Sequence, residues 1–291
     1  MRNHFVPQFL QTPWATSNGT LQVFRLTDGR TFRQTPKGNG YVEDMLSLTR
    51  EQVAGMDKHA IENAVLQTVD HEASLIRQKL EEKQLASLTL EERCAWVRFI
   101  MSLRLRQPHT VSQLRKGAAE TLRTKLAEQP EEYEALVDGT LPPTLEEWTE
   151  LMFPGAIENF GLSFFHELLN DETIGTKLLH LRWWVWDFAG CSNHLLLGDR
   201  PCVFAGDIDH PDLAVMLPIS PTKAFIATRG DKTALALSEA KSPILLGNFN
   251  DATVKQASER VFALDETPRR FIENRRSQNS SDTSLAKSAV V

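Results

Sequence analysis

The sequence predicts an α+β fold: one mixed or antiparallel sheet built from N- and C-terminal strands, with a large helical insertion between them. Three observations carry this. Alternating or β-branched segments bounded by Gly, Pro and Asp occupy the chain up to Gly40 and return after Trp186. Between them, from Val42 to about Asn170, the apolar spacing takes the helical period. Each end segment holds too few strands for a stable sheet of its own, so the two need one another. The expected organisation is a single domain over 1–274, with 42–190 as the mainly helical insertion and 275–291 as a polar, Ser-rich disordered tail.

Taken in order, Thr20–Leu26 alternates like a half-buried strand, Thr27-Asp28-Gly29 supplies a turn, and Arg30–Gln34 returns as the second arm of a hairpin. Pro36–Gly40 is a loop. Ile61, Val65, Val69, Leu75, Ile76 and Leu80 share one side of a long helix over 57–84. Thr89 and Glu92 form a capping-box signature for the next helix, which Pro108 should end. Val111–Ala127 reads as a further helix. Thr144 and Glu147 repeat the capping box for Thr144–Phe153, Pro154-Gly155 breaks it, and 156–170 resumes the helical period. Strand-like runs follow at His194–Leu197, Cys202–Ala205, Leu213–Leu217, Ala224–Thr228 and Arg260–Leu264, with helical runs around 231–240 and 250–259.

Composition narrows the class of function. The 291 residues carry 32 basic and 38 acidic side chains, a net charge of −6, which argues against a broad nucleic-acid or anionic-membrane surface. The charge is uneven: residues 1–41 hold five basic residues against Asp28, so 5 − 1 = +4, whereas 42–150 holds 13 against 20, so 13 − 20 = −7. Cys94, Cys191 and Cys202 are odd in number and lack C-x-x-C spacing, as expected in a reducing cytosol. Nothing after Met1 reads as a signal peptide, and the apolar stretch around Leu178–Gly190 is too short to span a bilayer. The expectation is a cytoplasmic protein without a membrane partner. P-loop, strand-linked G-x-G-x-x-G and G-x-S-x-G motifs are absent, so P-loop NTPase, kinase, Rossmann dehydrogenase and lipase-type readings lose ground.

Several words stand out: Asn3-His4-Phe5-Val6-Pro7-Gln8-Phe9-Leu10, Arg106-Gln107-Pro108, Leu197-Gly198-Asp199-Arg200-Pro201, Leu217-Pro218-Ile219-Ser220-Pro221 and Asn248-Phe249-Asn250. In this order, over roughly residues 3–264, they resemble the bacterial domain-of-unknown-function family 4238. The chain departs from that pattern at Gly198, commonly Ser, and at Ile219, commonly Leu. The first departure removes a hydroxyl and weakens any serine nucleophile there. The resemblance implies a fold and a set of positions, not a reaction. Among those positions are Tyr41 near a loop end, an acidic helix position at Glu72, and Arg106.

His4 is the most suggestive side chain. It precedes backbone stiffened by Pro7, where it could act as general acid or base or as one arm of a metal site, or could equally anchor the N-terminal strand through a backbone carbonyl. Gln8 would share its face in an extended segment. Glu62 and Glu72 lie about 80° apart around the helix and form no metal pair with His71. Arg106 offers planar donors to a phosphate, a carboxylate or a buried acid. Asp199 follows a strand end, suiting either function or a turn cap, and Asn250 reads more readily as a helix N-cap than as a ligand contact. The Trp183-Trp184-x-Trp186 cluster suits the core better than base stacking.

Two functions follow as expectations. The first is a hydrolase of a phosphodiester or nucleotide in bacterial defence or stress. Its catalytic residues are His4, Glu72 and Asp199, its substrate contacts are Gln8, Tyr41, Arg106 and Asn250, and Mg²⁺ is its candidate cofactor. The substrate would be an anionic small molecule or a nucleic-acid end. The second is a non-enzymatic ligand-binding or protein-interaction domain, in which the same residues form a structural polar network.

Overall fold

The computed structural model describes residues 1–49, 57–128, 131–137 and 139–276. The chain opens with β1 (Arg2–His4), after which Pro7 starts a short helix α1 (Gln8–Gln11). The extended segment expected here therefore ends at Pro7, whose carbonyl accepts the Leu10 and Gln11 amides. Proline's fixed φ and missing N–H suit a helix entrance. Next come the hairpin strands β2 (Leu21–Arg25) and β3 (Thr31–Gln34), then β4 (Tyr41–Glu43), which pairs with β1 in a two-stranded ribbon.

A π-type turn, Ile61–Leu66, leads into α2 (Gln67–Glu81). The capping box of α3 (Leu90–Leu105) forms as the sequence predicts: the Glu92 amide donates to Thr89 Oγ1 at 3.2 Å and the Thr89 amide to Glu92 Oε2 at 3.0 Å. Pro108 opens α4 (Pro108–Ala127) at its first turn as well as lying beyond the end of α3. Five short helices follow: α5 (Glu131–Leu136), α6 (Leu145–Met152), α7 (Ala156–Ser163), α8 (Phe165–Leu169) and α9 (Glu172–Leu179). Thr144 caps α6, accepting from the Glu147 amide at 3.1 Å.

The helical stretch stops earlier than expected, because β5 (Arg182–Asp187) is a six-residue strand. Its Trp-Trp-Val-Trp core is rich in residues that favour a pleated surface. The remaining elements are β6 (Leu197–Gly198), β7 (Val203–Ala205), β8 (Ala214–Ser220), β9 (Lys223–Thr228), α10 (Asp231–Glu239), α11 (Ser242–Gln256), β10 (Arg260–Ala263) and α12 (Arg269–Arg276). Arg275 and Arg276, expected in the tail, are helical; the rest of that expected tail, 277–291, lies outside the described residues.

The architecture is α+β, and strands from both chain ends do meet. They form two four-stranded antiparallel sheets, ordered β3-β2-β10-β6 and β5-β9-β8-β7, rather than a single one. In the first sheet Phe24 sits opposite Val261 and Val23 opposite Phe262. In the second, all seven β8 residues are buried, and Pro218 coincides with a register irregularity before Ser220. Proline cannot donate to a ladder, and it stands past the short stretch that β7 covers, so the bulge costs no pairing on that side.

Chain contacts cluster into two compact units. The first comprises 1–3, 42–68 and 105–171; the second comprises 4–41, 69–104 and the chain from 172 onward. Residues 69–104, expected within a helical insertion, thus belong with the strands. In the first unit Leu46, Leu66, Val111, Leu162 and Phe165 form a core cluster. Its α4–α7 crossing is close at Gly161, where a Cβ would stand 2.4 Å from the Leu114 carbonyl oxygen. Gly155 enters α7 at φ +81°, and Asn159 pairs with the Thr49 main chain, accepting its amide at 2.9 Å and donating to its carbonyl at 2.9 Å. Arg115 donates to the Met45 and Ser47 carbonyls in the same unit, and burial pulls its guanidinium below the usual arginine value.

In the second unit, Phe24, Leu26, Leu196, Val254, Val261 and Ile272 pack between the first sheet and helices α11 and α12. Trp96 and Phe99 of α3 meet ring to ring at 5.2 Å, and Phe225 of β9 takes Trp96 at 5.6 Å and Trp183 at 5.2 Å. Trp183 is therefore core, as the sequence suggests, whereas Trp184 and Trp186, expected there with it, are half-buried. Among the described residues no helix is long and apolar enough to cross a membrane.

Candidate functional site

A cleft of about 490 Å³ opens in the strand-bearing unit, bounded by Thr12 and Pro13, Arg77 and Glu81, His194, Leu264 and the Ser220-Pro221-Thr222 turn. Each part is placed by local structure. Arg77 and Glu81 are one helical turn apart on α2, the spacing at which side chains meet, and Arg77 Nη1 donates to Glu81 Oε2 at 2.6 Å. The same nitrogen reaches the Ile219 carbonyl at 3.2 Å, tying α2 to the end of β8. Lys223 Nζ donates to the Glu81 carbonyl from the first residue of β9. Arg77 is only 13% exposed; among the described residues its Nη2 makes no bond, and its Nε is buried without a partner.

His194 sits on a loop held from three directions. Asn250 Nδ2 donates to the His194 carbonyl at 2.9 Å, and Asn250 Oδ1 accepts the Leu196 amide at 2.8 Å. The Leu195 amide donates to the Pro221 carbonyl at 2.8 Å, while the Leu195 carbonyl accepts Trp14 Nε1 at 2.8 Å. The main chain is fixed and the imidazole itself is exposed. Nearby, Asp265 is held below the ordinary carboxyl value, first by its bonds from Thr267 and to a smaller degree by His194 and Arg33. The cleft thus sets the Arg77 guanidinium and the His194 imidazole beside a single carboxylate, Glu81, with the Ser220 and Thr222 hydroxyls on the turn able both to donate and to accept.

The residues singled out from the sequence fall in different settings. His4 and Tyr41 come together, ring centres 5.5 Å apart, on the β1–β4 ribbon. Gln8 is exposed on the first turn of α1, which removes the shared face expected of an extended segment. Glu72 faces Arg98 across α2 and α3, with Nη1 3.7 Å from Oε2, and is 41% exposed. Glu62 accepts from Asn3 Nδ2 at 3.0 Å. Arg106 is 1% exposed in the other unit, in the corner between α3 and α4.

Asp199 is 3% exposed and accepts three consecutive amides, from Ser258 at 2.8 Å, Glu259 at 2.6 Å and Arg260 at 2.9 Å. It caps the entry to β10. Burial raises its carboxyl above the ordinary value, outweighing the three amide bonds that pull the other way. Asn250 is not an N-cap: α11 starts at Ser242, eight residues earlier, and the amide side chain pins the 194–196 segment instead. Cys202 is buried and its thiol is pushed up to about 12; all three cysteines are free. Among the described residues no three His, Cys, Asp or Glu side chains gather to hold a metal ion, and the Mg²⁺ expectation is given no ligand set.

The family whose sequence pattern matches, described as a protein of unknown function (DUF4238), covers residues 2–267, nearly the whole chain. The chain belongs to DUF4238. No curated protein and no solved structure matches it. The DUF4238 match takes in every residue of the cleft, from Thr12 to Leu264. In the structure Ser220 and Pro221, the end of the Leu217–Pro221 word, stand at the cleft wall. Sequence reasoning passed over Arg77, Glu81 and His194. The Arg77–Glu81 spacing was the available signal for two of them; for His194 there was none, because its loop is defined by contacts with Pro221, Trp14 and Asn250 far along the chain.

Proposed function

We propose that this DUF4238 chain is a ligand-binding domain whose cleft takes a small anionic molecule, one carrying a phosphate or carboxylate group. The observation that carries the reading is Arg77: a mostly buried guanidinium, braced by Glu81 and the Ile219 carbonyl, with Nη2 unbonded among the described residues, in a cleft that His194 and the 220–222 turn also line. Fixed planar donors recognise phosphate and carboxylate oxygens, and bracing removes part of the ordering cost of binding. The volume is within the range of small-molecule sites. The binding reading gains over hydrolysis because Asp199 and Asn250 already serve main-chain groups and Glu72 faces Arg98.

Isothermal titration of the wild-type chain with inorganic phosphate, ribose 5-phosphate and citrate tests this. At least one anion should bind, with affinity falling as salt rises. Arg77→Gln should weaken it roughly tenfold to a hundredfold, the range of one hydrogen bond to a charged group. A chain that binds none of the three, or binds equally well as folded Arg77→Gln, would end the proposal. Turnover of a phosphodiester that disappears in His4→Ala would favour the hydrolase instead.

A further inference from the structure

A second recess lies elsewhere in the strand-bearing unit, between the outer strand β5 and helix α10, with a volume of about 650 Å³. Its walls are Trp184 and Trp186 on one side and Ala234, Leu235 and Ser238 on the other, and Arg182 and Asp231 stand at one end. We propose that this recess binds a planar nitrogen heterocycle of the nucleobase type, stacked on the two indoles. The inference is independent of the cleft described above.

Strand geometry sets up the stack. Side chains alternate along a strand, so Trp183 turns into the core against Phe225 while Trp184 and Trp186 share the opposite face. Two residues of rise separate the latter pair by about 6.8 Å, twice the thickness of an aromatic ring. Trp186 is held in place: its ring stacks on Phe188 at 6.3 Å, Phe188 meets Phe249 at 5.8 Å, and Trp186 Nε1 donates to Ser242 Oγ at 3.4 Å. Leu235 is 58% exposed, so the wall opposite the indoles offers apolar surface that no described residue covers.

The end of the recess adds hydrogen-bond selectivity. Arg182 Nη2 lies 2.7 Å from Asp231 Oδ1, with side chains 62% and 87% exposed. So exposed a pair adds little to stability, but it offers a donor and an acceptor side by side. That is the complement of a heterocycle edge bearing an N–H next to a ring nitrogen or carbonyl, and a plain hydrocarbon ring would leave it unused. Stacking on aromatic side chains accepts any base, and the edge pair supplies preference among them.

Intrinsic tryptophan fluorescence of the full chain, titrated with the neutral nucleosides adenosine and guanosine, tests the proposal. Both should quench saturably, while ribose should not. Trp186→Leu should weaken binding about tenfold. Because that change also removes packing, Leu235→Glu, at an exposed position, is the second variant and should weaken binding without lowering Tm. Asp231→Asn should alter the ratio of guanosine to adenosine affinity, and Arg77→Gln should leave both unchanged. The proposal is overturned if neither nucleoside quenches saturably at millimolar concentration, or if Leu235→Glu binds like wild type. It is overturned equally if a proline-rich peptide quenches and the nucleosides do not.

Discussion

Replacing Asp199 by Ala separates its structural role from the catalytic one expected of it. The wild-type carboxylate accepts three main-chain amides and is 3% exposed. Truncation leaves three buried donors without acceptors, each costing about 1–3 kcal/mol, offset by no longer burying an ionisable group. A net loss of about 3–5 kcal/mol is expected, on the order of 10 °C in Tm for a chain of this size. Urea unfolding followed by tryptophan fluorescence measures it. The pH dependence adds a signed check. Burial raises the folded carboxyl above its unfolded value of 3.8, so Asp199's contribution is fully present below that value and is lost as pH rises through the folded one. Wild type minus Asp199→Asn, which titrates nowhere in this window, should therefore show a stability difference that falls as pH rises. An Asp199→Ala chain as stable as wild type but devoid of ligand binding or turnover would refute the capping account and restore Asp199 to the site.

Asn250→Ala removes the bonds to the Leu196 amide and the His194 carbonyl and should cost about 2 kcal/mol in urea unfolding, while weakening anion binding in the cleft through a loosened loop. Gly161→Ala places a methyl 2.4 Å from the Leu114 carbonyl and should destabilise the α4–α7 pair by roughly 1–3 kcal/mol, read as a lower Tm with unchanged nucleoside quenching. At pH 8 a thiol reagent should spare Cys202, whose thiol is pushed to about 12 by burial, until denaturant is added; labelling of Cys202 in the native chain would show that its region opens readily.

Local chemistry was legible wherever it was sufficient. The capping box at Thr89, the N-cap half of the one at Thr144, the Gly29 turn and the 20–34 hairpin depend on neighbours in sequence and appear as read. The joining of chain ends was legible too, since β2 without β10 has only one partner. Failures came where distant contacts decide. Trp184 became strand because β9 lies ready to pair with it, whereas Gln8 left its expected face for a local reason, the helix entrance that Pro7 favours. Asn250 looked like a cap because nothing local announces that its partners are residues 194 and 196. For the site, the Ser220-Pro221 word was visible, but Arg77 and His194 meet it only through the fold.

The interleaved course of the chain bears on how the protein is made. Neither compact unit is a continuous stretch, and the sheet β3-β2-β10-β6 joins strands more than 220 residues apart, Gln34 at one extreme and Arg260 at the other. During synthesis β2 and β3 emerge early, yet β2 gains its second neighbour only after Ala263 has left the ribosome. Until then one edge of the hairpin is unpaired, a template on which other strands can add. Fragments cut between 41 and 260 should therefore aggregate rather than yield a folded half, and a nascent chain stalled short of Arg260 should stay sensitive to protease in 20–34.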